Sequence, residues 1–229
     1  MDDETWLVWQ LVDSALPTGG FVASGGLETA FQLGQVITSA QLDRFIRTSV
    51  HSYAHAALPF VTAAYHSTGL AILPPESLQP LVDADHLFHA LNPHLSVRRA
   101  SIAQGTSMIT LFLNSDIAKR FKALIRVGTA YGHFPVCFGL TCRLLQLSLT
   151  KTQQLFLFMF VRQIVSSAIR LNIVGPYQAQ VTLATAKGPT DEAIHMTADL
   201  TMDQATQTSP ALDLLQGAHD RLYSRIFNS

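Results

Sequence analysis

Paired histidines are the first feature of this 229-residue chain with the potential for metal chemistry. His51 and His55 lie four residues apart, so on a helix they share one face and are able to chelate a transition metal. His86 and His89 form a second pair, three residues apart, with His94 just beyond. Neither pair belongs to an HExxH zinc motif. The spacing leaves open both a metal site and ordinary half-exposed helix histidines.

Other reactive side chains occur singly. His133 lies in the sequence GHFPV, where a hydrogen bond that fixes the loop is the expected role ahead of metal ligation. Glu28 is an isolated carboxylate, for which helix capping or ion pairing is expected. Cys137 and Cys142 form neither a CxxC motif nor a disulfide framework, which fits a reducing compartment. No GxSxG, GxGxxG or GxxxxGK motif occurs, so the sequence favours a protein with no catalytic or nucleotide site of its own.

The composition favours an interaction protein over a binder of nucleic acid or membrane. Only 14% of residues are charged and 48% are hydrophobic, whereas average domains carry about 25% charged residues. The excess apolar residues form either a large core or a surface for a partner. Segment 95–187 holds most of the basic residues and a single acidic one, Asp116, which indicates either charge neutralisation within the fold or a basic face for an acidic partner protein. The pI of 6.7 argues against nucleic acid.

The sequence also shows no pattern of a membrane span or of a signal or transit peptide. No apolar stretch reaches the roughly 20 residues of a membrane span. The start of the chain, MDDETW, is acidic and lacks the basic region of a signal or transit peptide. We therefore expect a cytoplasmic protein.

Apolar residues recur at three- and four-residue steps along most of the chain, which predicts helices separated by glycine and proline breaks. Pro59 is expected to kink or end one helix, and Gly188 with Pro189 to separate two others. Segment 155–171 is apolar on almost every side, which predicts a buried central helix. The last helix is predicted over 211–227. The expected architecture is an all-α bundle forming one domain over residues 1–229.

Two motifs resemble those of a known family. LVDSALPTGGFVASGGLETAFQLG, residues 11–34, resembles the N-terminal signature of the urease accessory protein UreF family, and GHFPVCFG, residues 132–139, resembles its GHxPVxFG segment. Segments 97–111, 170–180 and 222–227 are similar to further parts of the family, in the same order. The resemblance therefore covers most of the chain.

This resemblance implies a non-enzymatic, all-helical and dimeric assembly factor for a nickel enzyme. UreF-like proteins bridge a UreD/UreH-type accessory protein to the UreG-type GTPase, regulate that GTPase, and support nickel delivery to the urease apoprotein. The implied protein binds no cofactor stably, and nickel only passes through the complex. No nucleic acid or membrane partner is implied.

Two sets of residues are candidates for these contacts. An aromatic and arginine cluster, of the type favoured at interface hot spots, predicts a docking site for the UreH-type partner at Tyr223, Arg225 and Phe227. The two glycine turns predict a dimer or GTPase contact, with candidate residues Pro17, Gly19, Gly20, Phe21, Glu28, His133 and Pro135. The alternative function is a helical metal- or ligand-binding enzyme that uses His51 and His55. No catalytic residue and no dedicated metal ligand is predicted under the main interpretation.

Overall fold

The computed structural model describes residues 3–13, 16–18, 20–67, 78–113 and 115–228. Every regular element within these ranges is helical, which confirms the predicted all-α class. The α-helices are α1 Asp3–Val12, α2 Leu27–Gln32, α3 Ser39–His66, α4 Gln79–Leu91, α5 Leu95–Leu111, α6 Asp116–Arg126, α7 Phe134–Leu144, α8 Leu149–Arg170, α9 Pro176–Thr185, α10 Lys187–Thr197 and α11 Pro210–Ala218. Short 3-10 turns span Gly20–Val22, Met202–Gln204 and His219–Arg221.

Helix α3 lies at the centre and packs against α4, α7, α8 and α10. It begins at a capping box between Thr38 and Gln41, which satisfies two free backbone N–H groups. Of the two expected effects of Pro59, the end of the helix is wrong, because α3 runs on to His66. Proline cannot donate to the carbonyl of His55, but the backbone N–H of Thr206 donates to that carbonyl instead, at 3.3 Å.

Helix α7 is the other deeply buried element, with every residue from Phe134 to Cys142 buried. Two glycines let neighbouring backbones approach it. A Cβ on Gly139 would overlap the carbonyl oxygen of Val61 on α3, and a Cβ on Gly105 would overlap that of Gly132, just before α7. The partner that approaches Gly105 closely is therefore the turn that opens α7.

Two predicted helices differ from the structure. Helix α8 covers residues 155–170 of the segment predicted as central, but its Phe158 is 37% exposed. The centre is formed by α3 and α7, which pack against each other. The last predicted helix, 211–227, ends at Ala218 and is followed by an irregular segment, because the carboxylate of Glu28 holds backbone N–H groups of that segment.

The remaining differences are small. The break expected at Gly188 and Pro189 lies at Ala186, and both residues fall in the first turn of α10, where proline is tolerated. Within the described ranges, no helix is both long and apolar enough to cross a bilayer.

Candidate functional site

The turn before α7 is built around a buried carboxylate. Asp85 of α4 is fully buried and accepts the backbone N–H groups of Tyr131, Gly132 and His133, at 2.5, 3.0 and 2.7 Å. Gly132 has a φ of +82°, a conformation that glycine adopts without the steric cost of a side chain. Three charge-assisted hydrogen bonds to one side chain fix the path of the GHFPV turn.

The side chain of His133 is fully buried beneath this turn. It makes hydrogen bonds of the kind expected for a residue that fixes the loop. Its Nδ1 lies 3.1 Å from Ser101 Oγ, and its Nε2 lies 3.0 Å from His89 Nδ1. Burial first, and then the positive potential of His89 and Arg98, lowers the pKa of His133 to about 3. The ring is therefore neutral at physiological pH.

The contact between Ser101 and His133 has the form of a nucleophile beside a base. However, a base with a pKa near 3 takes up protons poorly at neutral pH, and the ring is fully buried. Ser101 Oγ also accepts the N–H of Phe134 at 3.1 Å, so it serves the first turn of α7. The chemistry of this pair is that of a fixed hydrogen-bond network.

The two cysteines lie on the same buried helix and are not bonded to each other. Burial raises the pKa of the Cys142 thiol to about 12, and it raises that of Cys137 well above its ordinary value. Both thiols stay protonated at neutral pH, so neither is a ready nucleophile or metal ligand.

The predicted N-terminal turn is partly described. Pro17 is exposed, whereas Gly19 and the side chain of Phe21 lie outside the described part of the chain. Gly20 opens a short 3-10 turn. A Cβ at Gly20 would stand 3.6 Å from the Oε1 atoms of both Gln104 and Gln163, which is ordinary contact.

Two cavities adjoin at those glutamines. One has a volume of about 90 Å³ and the other, which includes Gly20, about 100 Å³. Both are bordered by the same five side chains, Tyr53, Gln104, Phe134, Phe160 and Gln163. The boundary between the two cavities is therefore formed by amide and aromatic side chains.

Glu28 ties the segment after α11 to the start of the fold. Its carboxylate is fully buried and accepts from three donors: His219 Nε2 at 3.1 Å and the backbone N–H groups of Ile226 and Phe227 at 2.6 and 3.2 Å. The carboxylate therefore acts through hydrogen bonds to groups far away in the sequence, which is a structural role. We call residues 222–228 the clasped segment.

The clasped segment presents one face inward and one outward. Phe227 is buried, and the guanidinium of Arg170 lies over its ring at 4.4 Å. Tyr223 is fully exposed, and Ile226 is 63% exposed. Asp220 accepts from Arg225, at 2.9 Å, and from Arg99 of α5, so Arg225 is held in place while it remains accessible.

The structure thus divides the predicted contact residues into two groups. Pro17, Tyr223 and Arg225 are accessible to a partner, whereas Glu28, His133, Pro135 and Phe227 are buried and position their neighbours. The C-terminal cluster and Glu28 come together, but the GHFPV turn is anchored separately by Asp85. Whether any of these residues contacts a partner remains a prediction.

Sequence reasoning missed Asp85, Ser101 and His219. A signal for Asp85 was available: it stands four residues after Leu81 and three before Phe88, on the apolar face of a predicted helix. A carboxylate at such a position requires strong hydrogen-bond donors. No local pattern marked His219 or Ser101, since their partners lie far away in the sequence.

Comparison with known proteins places these features in a family. The sequence model of the UreF family matches residues 36–187. The chain is 34% identical to the urease accessory protein F of Arabidopsis thaliana over 230 residues, covering 98% of this chain and 92% of the plant protein. It is 33% identical over 230 residues to the protein of the same name in Oryza sativa, covering 97% and 84%. It is 30% identical over 227 residues to the urease accessory protein UreF of Paenarthrobacter aurescens, covering 96% of both.

Proposed function

This chain belongs to the UreF family of urease accessory proteins, and from that premise we propose that it is a non-catalytic scaffold joining a UreD/UreH-type protein to a UreG-type GTPase. In that role it regulates GTP-dependent nickel delivery to the urease apoprotein and works as a homodimer. The neutral, buried His133 and the protonated cysteines support a role without catalysis. The free buried thiols fit a reducing compartment, which supports the cytoplasm as its location.

The observation that carries this proposal is the outward face of the clasped segment. A fully exposed Tyr223 beside a half-exposed Ile226 places apolar surface in water, which is typical of an interaction site. Arg225 is already fixed by Asp220, so less side-chain freedom is lost when a partner binds. We assign contact with the UreD/UreH-type protein to Tyr223 and Arg225, and we assign Phe227 the task of anchoring the segment.

Size-exclusion chromatography with light scattering tests this assignment. Tyr223→Ala and Arg225→Ala should lose co-elution with the UreD/UreH-type protein while keeping the melting temperature. Phe227→Ala should lower both, because it removes the buried anchor. Tyr177→Ala on α9 is the matched control, since that ring is 91% exposed outside the segment. Normal co-elution of the first two variants would show that the segment is not the docking site.

The adjoining cavities support a further part of the role, namely the passage of nickel. Their common border carries the side-chain oxygens of Gln104 and Gln163, and Ser101 lines the first cavity. Oxygen ligands of this kind hold a divalent ion weakly, which suits an ion in transit better than a stored one. Gly20 stands at this border without a left-handed backbone, so larger residues are sterically compatible there.

A pair of substitutions at Gly20 distinguishes the passage of nickel through the cavities from the docking of a partner at this turn. Gly20→Leu should fill the second cavity and reduce urease activation in a purified assembly, while Gly20→Ala should activate normally. Normal activation by the leucine variant would contradict the passage. If instead the leucine variant folded but failed to join the complex, the prediction of a partner contact at this turn would be supported.

The GTPase or dimer contact expected at the two turns depends on their exposed residues. Since His133 and Pro135 are buried, a partner at the GHFPV turn would meet Tyr131, which is 39% exposed. Tyr131→Ala and Pro17→Ala should weaken co-elution with a GTP-loaded UreG-type protein or shift the measured mass from dimer to monomer. Unchanged mass and co-elution in both variants would exclude the turns as contact sites.

A further inference from the structure

The histidine pair on α3 is arranged in a way that the function proposed above does not use. The rings of His51 and His55 lie with their centroids 4.3 Å apart and their planes tilted by 33°. Both side chains are half-buried, and His51 lines a cleft between α3 and α10. Neighbouring imidazoles on one helix face, with access to solvent, are the starting point for a chelate.

One nitrogen of each ring is already engaged. His55 Nδ1 lies 2.9 Å from the carbonyl oxygen of His51. A carbonyl only accepts, so this nitrogen carries the proton, and in the neutral ring the free lone pair lies on Nε2. His51 Nδ1 lies 3.2 Å from Thr208 Oγ1. Histidines that bind metals show the same arrangement, with the second nitrogen held by a carbonyl or another polar group.

The surroundings hold this arrangement in place. The backbone N–H of Thr206 donates to the carbonyl of His55, and Ser52 Oγ donates to Gln207 Oε1 at 2.8 Å, so segment 206–208 is attached along α3. Thr208 is thereby positioned beside His51. The ring orientations are therefore set by the fold before any ion binds, which reduces the entropy that binding must overcome.

The charges around the cleft are mixed. Glu192 of α10 lines it and adds negative potential at His51, while Arg47, one turn before His51, adds a positive charge. Among the described residues, no three side chains of the types His, Cys, Asp and Glu come together at metal-binding distance. A chelate here has two protein ligands, and water fills the other positions.

We propose that His51 and His55 chelate one divalent transition-metal ion of the borderline class, such as Ni²⁺, Cu²⁺ or Zn²⁺, through their two Nε2 atoms. Imidazole nitrogens select such ions over Mg²⁺ and Ca²⁺, which prefer oxygen ligands. Glu192 compensates part of the charge from across the cleft. The proposal does not depend on the scaffold function and requires no catalysis.

The second histidine pair serves as an internal comparison. His86 Nε2 lies 2.8 Å from the carbonyl oxygen of Thr129, and His89 Nδ1 lies 3.0 Å from His133 Nε2. The His89 ring also stacks on Tyr131 at 3.6 Å. The rings of His86 and His89 each pack against Tyr131, whereas those of His51 and His55 pack against each other, so the second pair is not expected to share an ion.

Isothermal titration of the full, untagged chain at pH 7.5 with Ni²⁺, Cu²⁺ or Zn²⁺ alone tests the site. We expect one ion per chain, affinity lowered at least tenfold in His51→Ala and in His55→Ala, and affinity unchanged in the double variant His86→Ala/His89→Ala. Glu192→Gln should weaken binding severalfold. Electron paramagnetic resonance of the Cu²⁺ form should show two nitrogen ligands.

Two results would overturn the proposal: no binding by the unsubstituted chain up to millimolar metal, or binding that survives in His51→Ala/His55→Ala. Equal melting temperatures for the alanine variants and the unsubstituted chain would show that a loss of binding is not a loss of fold. Co-elution of His51→Ala/His55→Ala with the accessory proteins is the separate readout for the scaffold function, so either idea can fail alone.

Discussion

Replacing Glu28 by glutamine is expected to release the clasped segment while the rest of the fold stays intact. Glutamine keeps the size of the side chain but has a single carbonyl acceptor, and its NH₂ group would face N–H donors. In the native protein, Glu28 Oε1 serves Ile226 and Oε2 serves both Phe227 and His219. The substitution therefore removes one or two of three hydrogen bonds.

The size of the effect follows from the charge and the burial of this carboxylate. Hydrogen bonds to a charged group contribute about 1.5–3 kcal/mol each, more when a buried donor is left without an acceptor. When residues 222–228 detach, water satisfies those donors, so the substitution lowers the free energy of this local opening by about 2–4 kcal/mol. That range corresponds to roughly 30- to 1,000-fold faster exchange of the amide hydrogens that exchange through local opening of the segment.

Hydrogen–deuterium exchange at the amides of Ile226 and Phe227 measures this release, and trypsin cleavage after Arg221 and Arg225 reports it independently. The matched control is Gln32→Ala, which removes one exposed hydrogen bond, from Gln32 Nε2 to the carbonyl of Ser224. The control should change exchange by less than about tenfold, since a typical hydrogen bond contributes about 1 kcal/mol. Equal protection of the two amides in Glu28→Gln and the unsubstituted chain would refute the reasoning.

Three further predictions concern the GHFPV turn, each measured by chemical denaturation. Gly105→Ala should lower the free energy of unfolding by about 2–3 kcal/mol, because the added Cβ meets the backbone of the turn. The control Gly188→Ala should raise it by about 0.5–1 kcal/mol, because the added Cβ has no atom within 4 Å. Asp85→Asn should lower it by about 2–4 kcal/mol, since an amide cannot accept from all three N–H groups. His133 stays neutral in the folded state down to about pH 3, whereas in the unfolded chain it takes up a proton near pH 6.5. Its contribution to the free energy of unfolding is therefore complete above pH 6.5 and declines as the pH falls, by about 2 kcal/mol between pH 6.5 and 5. His133→Asn should reduce that part of the pH dependence.

Each of these has a clear contrary outcome. Equal stability of the two glycine variants would mean that the turn moves aside at no cost. An unchanged Asp85→Asn protein would mean that water replaces the carboxylate. A pH profile identical in His133→Asn and the unsubstituted chain would assign the acid sensitivity to other groups.

The helices were largely predictable because their apolar spacing and capping residues are local in sequence. The capping box at Thr38 and the proline in the first turn of α9 are both local signals of this kind. The errors arose where a distant group supplies a hydrogen bond. Pro59 is tolerated because Thr206, far along the chain, donates to the carbonyl that proline leaves unpaired.

The individual turns and residues of the site were predictable from the sequence, but the contacts between them were not. The LPTGG and GHFPV turns were identified from glycine and proline, and either helix capping or ion pairing was expected of Glu28. Its partner His219 was not, because 191 residues separate the two and periodicity carries no information on such pairs. The outward face of Tyr223 likewise depends on the irregular path that Glu28 imposes after α11.

The bond between Glu28 and Phe227 also has a consequence for the order in which the protein is made. The two residues are 199 positions apart, and at about 5–20 residues per second a ribosome needs roughly 10–40 s to travel between them. During that interval the Glu28 carboxylate has no protein donors from the segment, so the N-terminal corner cannot reach its final packing. The surface formed by the segment is therefore assembled only after the helices that precede it have been made, and a partner that recognises it distinguishes chains made as far as Phe227 from shorter nascent ones.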